Sequence, residues 1–218
     1  MFVKKKALES ALSKLRPHPK PKVALEQYTT PASLASSILH TATYTHGDIA
    51  GKTVCDLGCG TGILAIGALL LGAELTVAVD VDAEAVEVGG ENSDLVGVRV
   101  DWVIGDINAL KGPFHTALQN PPFGVKRRGM DVAFLKKALN IAGVVYSIHK
   151  TGVRNTAYIR RVVRANGGDV DSIFRGKLII PHQFNFHTKR KVAVDIDVYR
   201  IISSRRLKLW ESRNQANS

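Results

Sequence analysis

Short apolar segments alternate with segments of helical periodicity from Thr53 to residue 165, and this alternation constrains the fold more than any other feature. The predicted strands lie at 53–57, 76–80, 100–104, 115–119 and 144–147, and the predicted helices at 63–71, 83–92, 131–142 and 154–165. Strands that are each followed by a helix pair in parallel and are covered on both faces. The sequence therefore predicts an α/β fold built on a mostly parallel sheet.

The two ends of the chain depart from this alternation. Residues 7–15 have helical spacing, three prolines between 17 and 21 favour an extended connector, and Pro31 opens a helix over 32–43. Residues 173–180 and 192–202 follow one another without a helix, which predicts an antiparallel pair. We divide the 218 residues into an N-terminal appendage (1–22), a single domain (23–203) and a loosely ordered basic tail (204–218).

The net charge of +11 is unevenly distributed along the chain. Residues 1–22 have seven basic and one acidic side chain (+6), residues 23–119 three and twelve (−9), and residues 120–218 twenty and six (+14). An acidic middle between basic flanks suggests a small ligand in the centre and a polyanion along the flanks. A solvated surface with uneven charge explains the pattern equally well.

Only two cysteines, Cys55 and Cys59, occur in the chain. They are too few for a disulfide framework, and as zinc ligands they would need two more Cys or His nearby, which the sequence lacks. We therefore expect two small buried thiols and no metal. Because no apolar run approaches the ~20 residues of a membrane span and no cleavage-site pattern follows the basic N-terminus, we expect a cytoplasmic protein.

A glycine-rich loop follows the first predicted strand, where residues 55–62 read Cys-Asp-Leu-Gly-Cys-Gly-Thr-Gly. Glycines at these positions allow a tight turn and close approach of the backbone to a ligand. The loop lacks the Gly-Lys-Ser/Thr ending of a phosphate loop and the Gly-x-Gly-x-x-Gly spacing of a dinucleotide site. Asp56 would repel a pyrophosphate, but it suits a ligand that carries a cationic amine and a sulfonium.

Aspartates also end the next two predicted strands. The carboxylate of Asp80 can accept hydrogen bonds from both ribose hydroxyls of a nucleoside, Asp106 can accept from an adenine amino group, and Ile107 can pack on the ring. Each of these residues could instead be a helix cap or a turn residue. Three successive strand ends with Asp favour the ligand interpretation.

The strand at 115–119 is followed by Asn120, Pro121, Pro122 and Phe123. Two prolines remove both amide donors and leave carbonyls that can only accept hydrogen bonds. The side-chain oxygen of Asn120 and the carbonyl of Pro121 could together accept both hydrogens of a planar exocyclic NH₂, while Phe123 stacks on the base. A rigid turn is the structural alternative, but an Asn before the prolines and an aromatic after them favour a catalytic strip.

Clusters of basic residues near this strip predict contacts with nucleic acid. The predicted RNA-binding residues are Lys126, Arg127, Arg128, His149, Lys150, Lys189, Arg190 and Lys191. The clusters at 149–150 and 186–191 mix basic with aromatic groups, as nucleic-acid surfaces do. A solvated charged turn explains residues 126–128 equally well.

The motifs together resemble those of class I methyltransferases that act on amino groups, and more narrowly the methyltransferase-like 5 family of ribosomal RNA adenine-N6 methyltransferases. The resemblance runs from residues 25–28 through 120–124, 131–135, 146–150 and 186–187 to 194–196, and so covers most of the chain. It implies a Rossmann-like class I methyltransferase fold, with a seven-stranded, mostly parallel sheet whose last strand is antiparallel. It also implies that the cofactor is S-adenosyl-L-methionine.

Cofactor contacts and a partner follow from the same resemblance. With the residues of the glycine loop, the predicted cofactor-binding set is Gln27, Tyr28, Thr30, Asp56, Gly58, Gly60, Thr61, Ile63, Asp80, Asp106 and Ile107. The resemblance further implies a small zinc-binding activator of the transfer RNA methyltransferase 112 type that pairs with an edge of the sheet. The basic appendage and tail depart from the eukaryotic members of the family.

Three functions remain compatible with these residues. The first is adenine-N6 methylation of ribosomal RNA. The same pair of acceptors would serve a guanine N2 in RNA or a glutamine side chain in a protein, although the basic carboxyl half favours RNA. The third is an RNA-binding scaffold that keeps the fold without turnover, which the intact cofactor and acceptor motifs disfavour.

Overall fold

A single seven-stranded sheet organises the computed structural model, which describes residues 2–22, 25–123, 129–181 and 191–203. The strand order is β3-β2-β1-β4-β5-β7-β6. The strands are β1 (Thr53–Leu57), β2 (Leu75–Asp80), β3 (Asp101–Ile104), β4 (Phe114–Gln119), β5 (Ala142–Lys150), β6 (Gly168–Pro181) and β7 (Lys191–Ser203). Strands β1 to β5 pair in parallel, and β7 is antiparallel to both of its neighbours, β5 and β6. The predicted fold class is confirmed.

Helices cover both faces of the sheet. They are α1 (Lys5–Leu12), α2 (Ala32–Tyr44), α3 (Ile63–Leu70), α4 (Ala83–Val96), α5 (Met130–Ile141) and α6 (Val153–Ala165). One core cluster joins α1, α2 and α3 to one face, and a second joins α5 and α6 to the other. Apolar side chains on both faces explain why β4 and most of β5 are continuously buried.

The parallel register brings the functional segments together at one edge. In β1, Leu57 lies level with Val79 of β2 and with Gln119 of β4. The glycine loop, Asp80 and Asn120 therefore all follow strand ends at the carboxyl edge of the sheet. Open α/β sheets bind their ligands at this edge, beside the point where the strand order reverses.

The N-terminal segment contributes to the core. Leu8 and Leu12, four residues apart on α1, are almost completely buried against α2 and α3. The helix ends at Leu12, before the residue 15 that its spacing predicted. The division of the chain at 22 and 203 stays a prediction, and the predicted disorder of the tail concerns residues that lie outside the described part.

Element bounds otherwise follow the predictions closely, with longer strands near the end of the chain. Strand β5 covers nine residues where four were predicted, and β6 covers fourteen where eight were predicted. A short 3-10 helix, Ile107–Ala109, was not predicted. Across the described ranges, no helix combines the length and the apolar character needed to traverse a bilayer.

Candidate active site at the carboxyl edge of the sheet

One cleft at the carboxyl edge gathers all eleven residues of the predicted cofactor set, together with Asn120 and Pro122. Its walls come from the segment before α2, the glycine loop, the ends of β2 and β3, and the start of α5. The lining residues that the sequence analysis did not assign to the site are His18, Leu25, Glu26, Thr29, Cys59, Leu64, Val81, Met130 and Phe134. Met130 and Phe134 stand four apart at the start of α5, a helical spacing that could have indicated them.

The glycine loop takes left-handed conformations that side chains disfavour. Gly58, Gly60 and Gly62 have φ angles of +67°, +54° and +85°. A Cβ on Gly62 would lie 2.3 Å from the indole of Trp102, which packs under the loop from β3. The third glycine is therefore required both by its backbone conformation and by close packing against Trp102.

Asp56 is a buried carboxylate with an incomplete set of partners. Its side chain is about 1% exposed, and its Oδ2 accepts a hydrogen bond from the amide of Ala65 at 3.1 Å. Within the described residues its Oδ1 has no hydrogen-bond partner. Burial raises the pKa of Asp56 to about 7, helped by the nearby charge of Asp80. A cationic group of a bound ligand would satisfy the second oxygen and favour the ionised form.

The carboxylates of Asp80 and Asp106 face the same cleft. Asp80 accepts hydrogen bonds from the amides of Gly60 at 2.8 Å and Asp82 at 2.9 Å, so it holds the glycine loop against β2. Burial raises the pKa of Asp80. Asp106 is exposed and caps the 3-10 helix by accepting from the amide of Asn108. Asp80 and Asp106 thus have the structural roles, as turn and cap residues, that their sequence positions also allow, and both line the cleft.

The segment before α2 is tied to the start of α4 by Asp82. The buried carboxylate of Asp82 lies 2.8 Å from the ammonium of Lys22, 2.8 Å from Nε2 of Gln27 and 3.0 Å from Nε2 of His18. These contacts hold the pKa of Asp82 well below its usual range. Gln27, predicted to contact the cofactor, therefore also fixes this segment beside the cleft.

Within the described part of the chain, one side-chain hydrogen bond holds Asn120 in place. Its Nδ2 donates to the hydroxyl of Thr30 at 3.0 Å. Its Oδ1 is buried and, among the described residues, has no hydrogen-bond partner. Buried polar atoms almost always have a partner, so this acceptor on the wall of the cleft is available to a ligand that donates a hydrogen. Thr30, predicted as a cofactor contact, is the residue that orients Asn120.

The ring of Phe123, the last residue of the strip, faces a second aromatic ring. The rings of Tyr28 and Phe123 are nearly parallel, with 22° between their planes and 6.5 Å between their centroids. The ammonium of Lys150 lies 5.2 Å from the centroid of Phe123.

One predicted RNA contact is wrong. His149 is only 2% exposed, because β5 lies inside the sheet between β4 and β7. The hydroxyl of Ser147 accepts from Nε2 of Gln119 at 2.8 Å and lies 2.7 Å from Nε2 of His149. Burial lowers the pKa of His149 to about 4, so its ring is neutral. His149 therefore supports the end of β4 from within and does not face RNA.

The other predicted RNA contacts are only partly described. Lys126, Arg127, Arg128, Lys189 and Arg190 lie outside the described residues, and Lys191 is described only as part of the backbone of β7. Lys150 is exposed and its ammonium lies over the ring of Phe123, and its contact with RNA stays a prediction.

The two cysteines are free and buried, as predicted. Burial raises the pKa of both thiols, so neither is a reactive thiolate. Within the described ranges, His18, Asp82 and Glu84 are the group whose side chains could share a metal ion. The ammonium of Lys22 already lies against the carboxylate of Asp82, so these three residues do not argue for a metal site.

Comparisons with known proteins agree with this geometry. Residues 29–114 match the family model described as Ribosomal protein L11 methyltransferase (PrmA). The rRNA N(6)-adenosine-methyltransferase Mettl5 of Drosophila melanogaster is 37% identical over 206 residues, which cover 91% of this chain and 96% of the fly protein. The corresponding protein of Danio rerio is 35% identical over 205 residues, covering 91% and 98%. The crystal structure of PH1948 from Pyrococcus horikoshii has a TM-score of 0.85 and 41% identity, covering 93% of this chain and 98% of that one.

Proposed function

The chain belongs to the methyltransferase-like 5 family of S-adenosylmethionine-dependent methyltransferases, and we propose that it methylates N6 of an adenine in ribosomal RNA. The observation that carries this proposal is the buried Oδ1 of Asn120, which has no hydrogen-bond partner among the residues that the structure describes. It lies at the end of β4, next to a carbonyl-only Pro-Pro segment and on the wall of the cleft that contains the cofactor residues. An acceptor in this place suits a substrate that donates hydrogens, as an exocyclic amine does.

The residues of the strip prepare the amine for attack. Oδ1 of Asn120 and the carbonyl of Pro121 accept one N–H each, which draws electron density towards the nitrogen and exposes its lone pair. Thr30 keeps Asn120 oriented, because its hydroxyl accepts from the amide nitrogen and leaves the oxygen facing the substrate. Orientation in a water-poor cleft supplies much of the acceleration.

The base itself fits between aromatic rings. An unpaired adenine enters between Tyr28 and Phe123, whose planes already lie almost parallel. The ammonium of Lys150 over Phe123 adds positive charge at the rim, where the RNA backbone passes. Only a base that is flipped out or single-stranded can reach this slot.

The acidic residues of the cleft fit the cofactor. S-adenosylmethionine, when bound, supplies an electrophilic methyl group on a positively charged sulfur. Oδ1 of Asp56, unpartnered among the described residues, would accept from the cationic amine. Asp80 stands where a ribose would bind, and Asp106 with Ile107 forms the end of the cleft suited to an adenine ring. With the cofactor bound, the amine nitrogen oriented by Asn120 would take up this methyl group and lose one proton to water.

A protein partner and a compartment complete the proposal. Strand β3 is an edge of the sheet, with β2 as its one neighbour among the described strands, and its last residue, Ile104, is 61% exposed. An apolar edge of this kind would be covered by a small zinc-binding activator of the transfer RNA methyltransferase 112 type, adding a strand. The two free thiols fit a reducing, cytoplasmic location.

Transfer of a radiolabelled methyl group tests the proposal. Wild type and Asn120→Ala are incubated with labelled cofactor and either total ribosomal RNA or total ribosomal protein. We expect wild type to label RNA and Asn120→Ala to do so at least about a hundredfold more slowly, as when one oriented transition-state hydrogen bond is lost. Label in protein, or RNA binding by both forms with label from neither, would overturn the proposal in favour of a glutamine methyltransferase or a scaffold.

A further inference from the structure

Helix α6 is basic and has no acidic residue of its own. Its thirteen residues include four arginines and neither Asp nor Glu. Only Ile159 and Val163 are buried, and they fix the helix to the sheet. Arg154 stands in the first turn, where the helix dipole disfavours a positive charge. Folding alone does not explain this distribution of charge.

Three side chains of α6 form one outward-facing stripe. Arg154, Tyr158 and Arg161 are spaced by four and three residues and so lie on one side of the helix, opposite Ile159 and Val163. The guanidinium of Arg161 lies 5.3 Å from the centroid of the Tyr158 ring, and this ring is 39% exposed. In the described part of the chain, neither arginine of the stripe takes part in a salt bridge, whereas Arg164 lies 3.9 Å from Asp169.

The stripe begins at the rim of the active site. Helix α6 starts three residues after Lys150, whose ammonium lies over Phe123. From Arg154 to Arg161 the stripe extends about 10 Å along the helix, at 1.5 Å per residue. Arg175 and Lys177 line a shallow pocket together with Thr151, which precedes α6. Both are exposed on the same face of β6 as Ile173, although Asp197 lies 3.7 Å from Arg175.

We propose that Arg154, Tyr158 and Arg161 bind single-stranded RNA next to the target adenine. Guanidinium groups bind phosphates through paired hydrogen bonds, and an aromatic ring accepts a stacked base of any sequence. Because the Tyr158 ring already contacts the guanidinium of Arg161, ordering this ring on binding RNA costs little conformational entropy. This inference rests on the proposed function, because the stripe would guide the RNA whose adenine enters the slot between Tyr28 and Phe123.

Affinity for RNA, measured against salt, tests the stripe directly. The probe is a short fluorescein-labelled RNA with one central adenine among uridines, and the variants are Arg154→Ala/Arg161→Ala and Tyr158→Ala. The matched control, Arg99→Ala/Lys111→Ala, also removes two exposed positive charges, but away from α6. All these positions face solvent or lie in loops, and alanine favours a helix, so the variants should fold.

We expect the double arginine variant to bind the probe roughly tenfold more weakly at low salt, and its salt slope to fall by about 1.4, or about 0.7 per lost phosphate contact. Tyr158→Ala should weaken binding about tenfold through lost stacking and leave the slope unchanged. The control should keep the wild-type slope. If the arginine variant has the affinity and the slope of the control, the inference is refuted.

Two further measurements separate this inference from other outcomes. At physiological salt, the wild-type protein should not sediment with vesicles of phosphatidylserine and phosphatidylcholine. If it does, and the double arginine variant does not, the stripe binds membranes and the inference is refuted. Methyl transfer by wild type to ribosomal RNA tests the proposed function separately. If wild type labels RNA and the stripe variants label it at the wild-type rate at limiting RNA, only the inference fails.

Discussion

Replacement of Asp56 by Asn should stabilise the chain without ligand while weakening its binding to the cofactor. The carboxylate is about 1% exposed, and one of its oxygens has no hydrogen-bond partner among the described residues. Burial raises its pKa to about 7, against ~3.9 in an unfolded chain. Because the folded pKa is the higher one, the group favours folding below about pH 4, and this contribution is lost as the pH rises towards 7.

The size of the effect follows from these two values. Between pH 5 and pH 8, ionisation of Asp56 should lower the free energy of unfolding by roughly 2 to 3 kcal/mol. Asn has the same shape, can accept from the amide of Ala65 and does not ionise. The difference in unfolding free energy between Asp56→Asn and wild type should therefore widen by about this amount, in favour of the variant, from pH 5 to pH 8.

Urea unfolding of the ligand-free proteins at the two pH values measures this difference. Asp94→Asn, which removes an exposed carboxylate on α4, is the control and should show almost no widening. At pH 8 the same Asp56 variant should bind S-adenosylhomocysteine about 10- to 100-fold more weakly by calorimetry, since a charge-assisted hydrogen bond to the ligand's amine is lost. A constant stability difference across this range would show that Asp56 is not held in a desolvated site.

Three other substitutions test separate parts of the site. Thr30→Val removes the hydroxyl that orients Asn120, so kcat should fall about 2- to 10-fold with the affinity for S-adenosylhomocysteine unchanged. Asp82→Ala releases the segment before α2, so stopped-flow displacement should show ligand dissociation about tenfold faster. Gly62→Ala sets a Cβ 2.3 Å from Trp102 at a positive φ, so urea unfolding should show a loss of about 2 to 4 kcal/mol. An unchanged value in any of these measurements contradicts the role assigned to that residue.

The fold and the cleft could be predicted from local sequence patterns. Alternating strands and helices set the parallel sheet, and parallel strands necessarily bring Asp56, Asp80 and Asn120 to one edge. The spacing of its glycines was sufficient to predict the glycine loop. These features depend on neighbours in sequence and on the rules of sheet geometry, so the sequence alone is sufficient for them.

The partners of individual side chains could not be predicted in this way. His149 follows Ser147 in an apolar strand, and its burial depends on β7, which pairs with β5 from nearly fifty residues further along the chain. Thr30 and Asn120 are ninety residues apart in sequence and meet only in the folded protein. The prolines near residue 20 predicted an extended connector, but not that the contact of Lys22 with Asp82 holds this segment beside the cleft.

The product nucleoside tests the central claim, that Asn120 and Pro121 orient an adenine N6 amine for methylation. Ribosomal RNA is incubated with S-adenosylmethionine and either wild type or Asn120→Ala, digested to nucleosides and analysed by mass spectrometry. We expect N6-methyladenosine with wild type and almost none with the variant. N2-methylguanosine as the product, or equal amounts of N6-methyladenosine from both proteins, would contradict it.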